Sequence, residues 1–451
     1  MTDGSAPRDA FIRAAVVPRN TSHTSGVLIE ANRMLAADPT LASRDIFVVA
    51  MLGDAARVRA FLSTDPALAT AKSAPYDWDA LTHLCFSRYL RLDDARSDGF
   101  VDAARALLDE GASANTGFFE NDHQPSPEWE PVLYGAAGIA HHEGVTRLLL
   151  ERGANPNDNE VAYHSPEGHN LGAFRALLES PALNDASLST MLLRKSDWHD
   201  VEGMRLTLDR GADPNAVGHW GATPLAHAIR SDNGERIVAL LLERGADPLL
   251  VNRGKSPVSM AAWAGRRDLL TLFAERGASP DTLSGLDALL AACALDDADR
   301  IAALLRDTPL LAQQLQSNGA LPMVRFAGNG NVHGISRLLD VGVPVNSAEP
   351  NGEGYLERAR NSTALHVAAW RARHDVVRLL ISRGADVNAR NANGESALML
   401  AVRANVDSYW TSEQSTESIA ALLNAGAAVV GVHVPTGYAD ADSLLRAHGA
   451  A

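Results

Sequence analysis

Apolar positions along this chain recur at helical spacing in short paired blocks. Within residues 361–389, Leu365, Val367, Ala368 and Ala369 form one block, and Val376, Val377, Leu379 and Leu380 form a second. Each block has the i, i+3, i+4 spacing that gives a short helix one apolar face. The chain turns polar between the blocks, and Arg383-Gly384-Ala385-Asp386-Val387-Asn388 closes the second. Glycine takes the left-handed position that ends a helix, and the Asp/Asn-rich stretch after it favours a turn. The pattern predicts a helix, a turn, a second helix and a finger-like hairpin.

The same pattern repeats down the chain. Gly111, Gly153, Gly211, Gly245, Gly277, Gly342, Gly384 and Gly426 each follow a Leu-rich segment, and the spacings from Gly211 to Gly245 and to Gly277 are 34 and 32 residues. Longer spacings hide units that end without glycine, near Leu177-Leu178-Glu179-Ser180 and near Asp307-Thr308-Pro309-Leu310. Asp38-Pro39 and Asp65-Pro66 mark two further ends. Unit starts carry their own signal in Thr223-Pro224-Leu225, where threonine caps the helix and proline suits its first turn. Such a unit cannot bury both faces alone, so its stability comes from stacked neighbours.

Asn361-Ser362-Thr363-Ala364-Leu365-His366-Val367-Ala368-Ala369-Trp370 and the segments that follow it resemble an ankyrin repeat, whose period is about 33 residues. The resemblance covers nearly the full length, and residues 131–157, 186–215, 218–249, 252–281, 361–389 and 391–428 match in at least one half. It implies an all-α solenoid of about twelve helix-turn-helix units with hairpin fingers and loop insertions. The expected organisation is a degenerate capping repeat at 1–43, repeats over 44–347 and 348–428, and a closing half repeat at 429–451. Trp78-Asp79-Ala80-Leu81-Thr82-His83-Leu84-Cys85-Phe86 and Asp407-Ser408-Tyr409-Trp410-Thr411 are similar to a group of long bacterial ankyrin proteins. The resemblance implies recognition of a protein or peptide and carries over no catalytic residue, because a fold does not fix a function.

Composition narrows the partner. The 451 residues carry a net charge of −15, which disfavours nucleic acid or an anionic membrane as the main target. No apolar run approaches the ~18 residues of a membrane span. Residues 1–10 lack the pattern of a signal peptide. Cys85 and Cys293 are too few and too far apart for a disulfide framework or a zinc cluster. A cytoplasmic monomer without a cofactor is expected.

The departures from the period carry more information than the period. Insertions near 86–98, 116–130, 347–360 and 403–416 each contain an aromatic residue. They are expected either to fold back over apolar surface or to wall off part of the groove into a pocket. In the resembled family, contacts come from hairpin tips and from the positions after Ala-Ala. Those positions here are His219, Trp220, Arg253, Trp263, Trp370 and Arg371, with Arg230, Arg325 and Arg403 on or beside the same face. Tryptophan and arginine are enriched at binding hot spots.

Histidines supply the alternative, since eight of the fifteen lie between His123 and His227. A small-ligand or enzymatic pocket around 116–227 would be lined by Phe118, Phe119, Tyr134, Tyr163, His164, His199 and His227, with Glu120 and Glu130 near enough to join. Histidine with carboxylate suits zinc, iron or copper, and the sequence leaves the presence of a metal open. Gly254-Lys255-Ser256 looks like the end of a phosphate loop, but Leu249 stands where that motif needs glycine. No nucleophile elbow and no His-Glu-x-x-His occurs.

Overall fold

The computed structural model describes residues 5–19, 21–120, 127–218, 220–354, 357–407 and 414–450. His123, His219, Tyr355, Tyr409 and Trp410 lie outside them. Among the described residues twelve helix pairs follow one another, from Ser5–Ala15 with Ile29–Ala37 to Ala397–Val406 with Glu417–Asn424, and a last helix spans Ala439–Ala447. None of these helices is long and apolar enough to cross a membrane. The chain divides into two compact units, Met1–Pro224 and Leu225–Ala451.

In both units the sequence signals become physical links between repeats. The Asn115 side-chain oxygen accepts from the N–H of Asn155, and that of Asn157 accepts from Asn184, each at 2.8 Å. In the second unit Asn346 accepts from Asp386, and Asn388 from Ala428, also at 2.8 Å. A turn asparagine in one repeat therefore satisfies a backbone donor in the next, which would otherwise carry a desolvation cost.

His366 works in the same way. The Thr363 N–H donates to its Nδ1 at 3.2 Å, which leaves Nε2–H to donate to the carbonyls of Ala389 and Glu395, both at 3.1 Å. One imidazole thus caps its own helix and fixes the following turn. Burial depresses its pKa and keeps it neutral, as this arrangement requires.

The stretch around Thr308-Pro309 ends the helix Ala298–Asp307, as expected of a repeat end, but it has a second role. It leads into an additional helix, Leu310–Asn318, that buries Leu311 and Leu315. Proline is tolerated at a helix start, so this segment reads equally well as an end or a beginning.

The insertions take distinct forms. Residues 86–98 contain the short helix Arg88–Leu92, whose Tyr89 is buried and donates to Asn32 at 2.7 Å. Strands Gly117–Glu120 and Glu128–Pro131 pair antiparallel, with Gly117 opposite Pro131 and Glu120 opposite Glu128. The 347–360 arm is held by backbone bonds from Glu349 N to Ser362 O at 3.0 Å and from Asn361 N to Glu349 O at 2.7 Å.

Candidate functional site

In the second unit the first helices of successive pairs line a groove together with Glu353 and residues 357–359 of the 347–360 arm. The helix Ala364–Trp370 packs between Ala320–Gly328 and Ala397–Val406. Ala368 and Ala369 are fully buried, and their small side chains permit this close approach. Met260, Val324 and Trp370 give the groove an apolar floor, while Glu353, Arg358 and Ala359 face it from the arm. The space is roughly 850 Å³, with solvent at its mouth included.

Charges brace this groove. Glu349, 2% exposed, accepts from the backbone N–H groups of Asn351 and Gly352 at 3.1 and 2.9 Å and pairs with Arg358. Burial alone would raise the Glu349 pKa, but these donors lower it. Arg371 pairs with Asp232. Arg403 lies 4.4 Å from the centre of the Trp370 ring and bonds Glu357 at 2.6 Å and Glu395 at 3.0 Å.

The first unit covers its own face differently. Arg19 donates twice to Glu120, at 2.7 and 2.9 Å, and lies 4.4 Å from the Phe118 ring centre and 5.3 Å from that of Trp78. Cation–π attraction and a bidentate carboxylate hold the same guanidinium. Four residues on, His23 Nδ1 bonds the Tyr134 hydroxyl at 2.9 Å.

Beneath this segment, His164 lies 3.2 Å from Glu160 and 2.9 Å from Glu167, and Arg194 bonds Glu167 at 2.7 Å. Burial alone would depress the His164 pKa, but its two carboxylates raise it to about 9. Glu130 is fully buried, and neither of its carboxyl oxygens has a hydrogen-bond partner. Burial, followed by the charges of Glu160 and Glu120, raises its pKa to about 8.

The local cause is a π-helical turn over Gly135–Ile139 directly after Tyr134. A Cβ at Gly138 would lie 2.7 Å from the Tyr134 ring and 3.0 Å from His164 Cβ. Glycine there lets the two aromatic side chains meet, at 5.2 Å between ring centres. Among the described residues no group of three or more His, Cys, Asp or Glu side chains is arranged to hold a metal ion.

Residues 193–284, 289–391 and 351–429 match the family model described as ankyrin repeats in three copies, and together these segments span more than half of the chain. The chain belongs to the ankyrin-repeat family. An E3 ubiquitin-protein ligase, KEG, of Arabidopsis thaliana is 26% identical over 333 residues, which are 68% of this chain and 18% of the ligase. SH3 and multiple ankyrin repeat domains protein 2 of Homo sapiens is 26% identical over 206 residues, 45% of this chain and 11% of that protein. The chain therefore spans less than a fifth of either relative. The ankyrin-repeat domain of human ASB11 aligns at a TM-score of 0.25 and 23% identity, over 58% of this chain and 96% of that one. Ankyrin repeats are in general protein–protein interaction modules.

Against this ankyrin framework the expected site residues separate. Trp370 and Arg371 line the groove of the second unit together. Trp263 is not among its lining residues: its indole N–H donates to Asp287 at 2.6 Å and Lys255 lies 3.8 Å from its ring centre. Arg253 is exposed at a tip with φ +50°. Trp220 belongs to the first unit, 5.8 Å from Tyr163 between ring centres.

Of the alternative set, Tyr134, Tyr163 and His164 are brought together, with Arg194 over Tyr163 at 4.0 Å. Phe118 stacks on Trp78 at 4.3 Å, and Phe119 is exposed against Trp129. His199 sits exposed in a turn, and His227 is buried in the second unit, where it accepts from Arg230 at 3.0 Å. Sequence reasoning missed Arg19, His23, Glu160 and Glu167. The first two come from a stretch without repeat signals, and the last two look like ordinary polar positions of a degenerate unit.

Proposed function

We propose that the chain is an interaction scaffold whose second unit grips an extended segment of a partner protein in the groove between the 347–360 arm and Trp370. The supporting observation is the roofed groove itself, apolar at its floor and charged along its walls. That combination is typical of interaction sites, where desolvated aromatic and arginine anchors carry most of the energy. Trp370, 3% exposed beneath Arg403, forms part of the floor that the segment would rest on, and Arg371, held by Asp232, borders it.

The alternative of a ligand pocket or catalytic centre in the first unit has less support. Its arginines and most of its carboxylates already pair with one another, which leaves few groups free for a substrate. Trp263 and Arg253 serve as secondary contacts at most, because neither lines this groove.

The test compares capture of host proteins by the full chain and by two variants. Trp370→Ala is expected to lose a partner that Trp263→Ala retains, with helix content unchanged in both by circular dichroism. Retention of the same partner by Trp370→Ala would refute the assignment of the groove.

A further inference from the structure

We infer that the groove of the second unit recognises a carboxylate on its occupant, an acidic side chain of a partner segment, through Arg325. This inference rests on the reading of the groove as the partner's site.

Arg325 lies on the helix Ala320–Gly328 and lines the groove with Val324 and Gly328, which share its helical face. The other arginines of this wall are engaged. Arg358 is held by Glu349, Arg371 by Asp232, and Arg230 donates to His227. Arg373, beside them, donates to the Gly328 carbonyl at 2.8 Å. Among the described residues Arg325 makes no hydrogen bond, ion pair or ring contact. It is half-buried: burial, followed by the charge of Arg358, disfavours its cation, and the charges of Glu353 and Glu349 offset this only in part.

A guanidinium cannot escape this cost by giving up its proton, so it needs an anion. The wall offers only the charges of Glu353 and Glu349, without an ion pair among the described residues, and they do not restore the cation in full. Glu349 is committed to Arg358 and to two backbone donors, and Glu353 makes no ion pair with Arg325. A planar fork with five donors facing a partly desolvated groove fits a carboxylate bidentately. The apolar floor beside it, Val324 and Trp370, fits the methylene stem of a glutamate or a neighbouring apolar residue. Binding would thus relieve a charge that the unoccupied protein compensates only in part.

The experiment uses the full chain and two fluorescent pools of randomised nonapeptides, one with glutamate and one with glutamine fixed at the centre, read by anisotropy. Sodium glutarate serves as a competitor. The wild type is expected to bind the glutamate pool about tenfold or more tightly than the glutamine pool, the size of a charge-assisted hydrogen bond. Arg325→Gln should abolish that preference, keep the weaker binding of the glutamine pool, and melt no lower than the wild type. Equal binding of both pools by the wild type, with loss of both in Trp370→Ala, would overturn the carboxylate and leave the groove standing. Binding unaffected by Trp370→Ala would overturn the groove reading, and the inference with it. Glutarate binding that depends on Arg325, without binding of either pool, would overturn the peptide occupant in favour of a small dicarboxylate.

Discussion

The two units solve the same problem in opposite ways. Each stacks helix pairs, links turns through asparagine and exposes a lined face. The first unit covers that face with its own chain: Arg19 enters a cage of Phe118, Trp78 and Glu120, and His23 reaches Tyr134. The second unit lines its face with residues of the 347–360 arm but, among the described residues, leaves Arg325 without an ion pair. A cation met by its own chain stabilises a fold, whereas a cation left unmet stores free energy that an occupant can release. Closed and receptive faces can therefore be told apart by charge pairing, although the helices beneath them are alike.

Removing the satisfied cation should have the largest effect. Arg19→Ala strands Glu120, which is 3% exposed, without its bidentate partner. Breaking a buried pair from one side costs about 3–5 kcal/mol. Urea unfolding of the full chain should show the transition of the first unit moved to lower denaturant, with that of the second unit in place. An unmoved transition would mean that the N-terminal segment does not hold the face closed.

The next effect is set by pH. Glu130 has an ordinary pKa of 4.5 and about 8 in the fold, so the native state keeps a proton that the unfolded chain has lost. Stability must then fall as pH rises from about 4.5 to 8. His164 adds to the decline: its contribution is fully present below 6.5 and is lost as pH rises through about 9. Glu130→Gln should flatten the lower part of this profile and gain about 3 kcal/mol by pH 8.5. Parallel melting profiles for the two proteins from pH 5 to 8.5 would show that Glu130 is not held protonated.

The repeats were legible because their signals are local. Thr363 and His366 lie within one helix start, and Gly384 to Asn388 form one turn, so period and chemistry coincide in the sequence. Trp370, Arg371 and Arg325 were legible as members of one face for the same reason. The closure of each face was not. Arg19 meets Glu120 across 101 residues, and Arg371 meets Asp232 across 139, separations at which no spacing rule operates. Trp263 shows the converse limit. Its slot after Ala261-Ala262 is that of Trp370, yet Asp287 and Lys255 engage it within the stack, and only the neighbouring residues decide which tryptophan borders the groove.

The smallest effect sharpens the comparison most, because it should differ in kind from that of Arg19→Ala. Arg325→Met removes a charge that has no partner to lose, and it places an unbranched apolar chain beside Val324 and Trp370. Replacing a poorly compensated buried charge by apolar volume is neutral or stabilising, here by about 1 kcal/mol at most, because part of the side chain still meets water. The melting temperature of the second unit should therefore hold or rise slightly, while that of Arg19→Ala falls in the first. A clear fall in melting temperature for Arg325→Met would mean that Arg325 is held by interactions within the unit. The second face would then be closed by its own chain as the first is, and the distinction between the two units would fail.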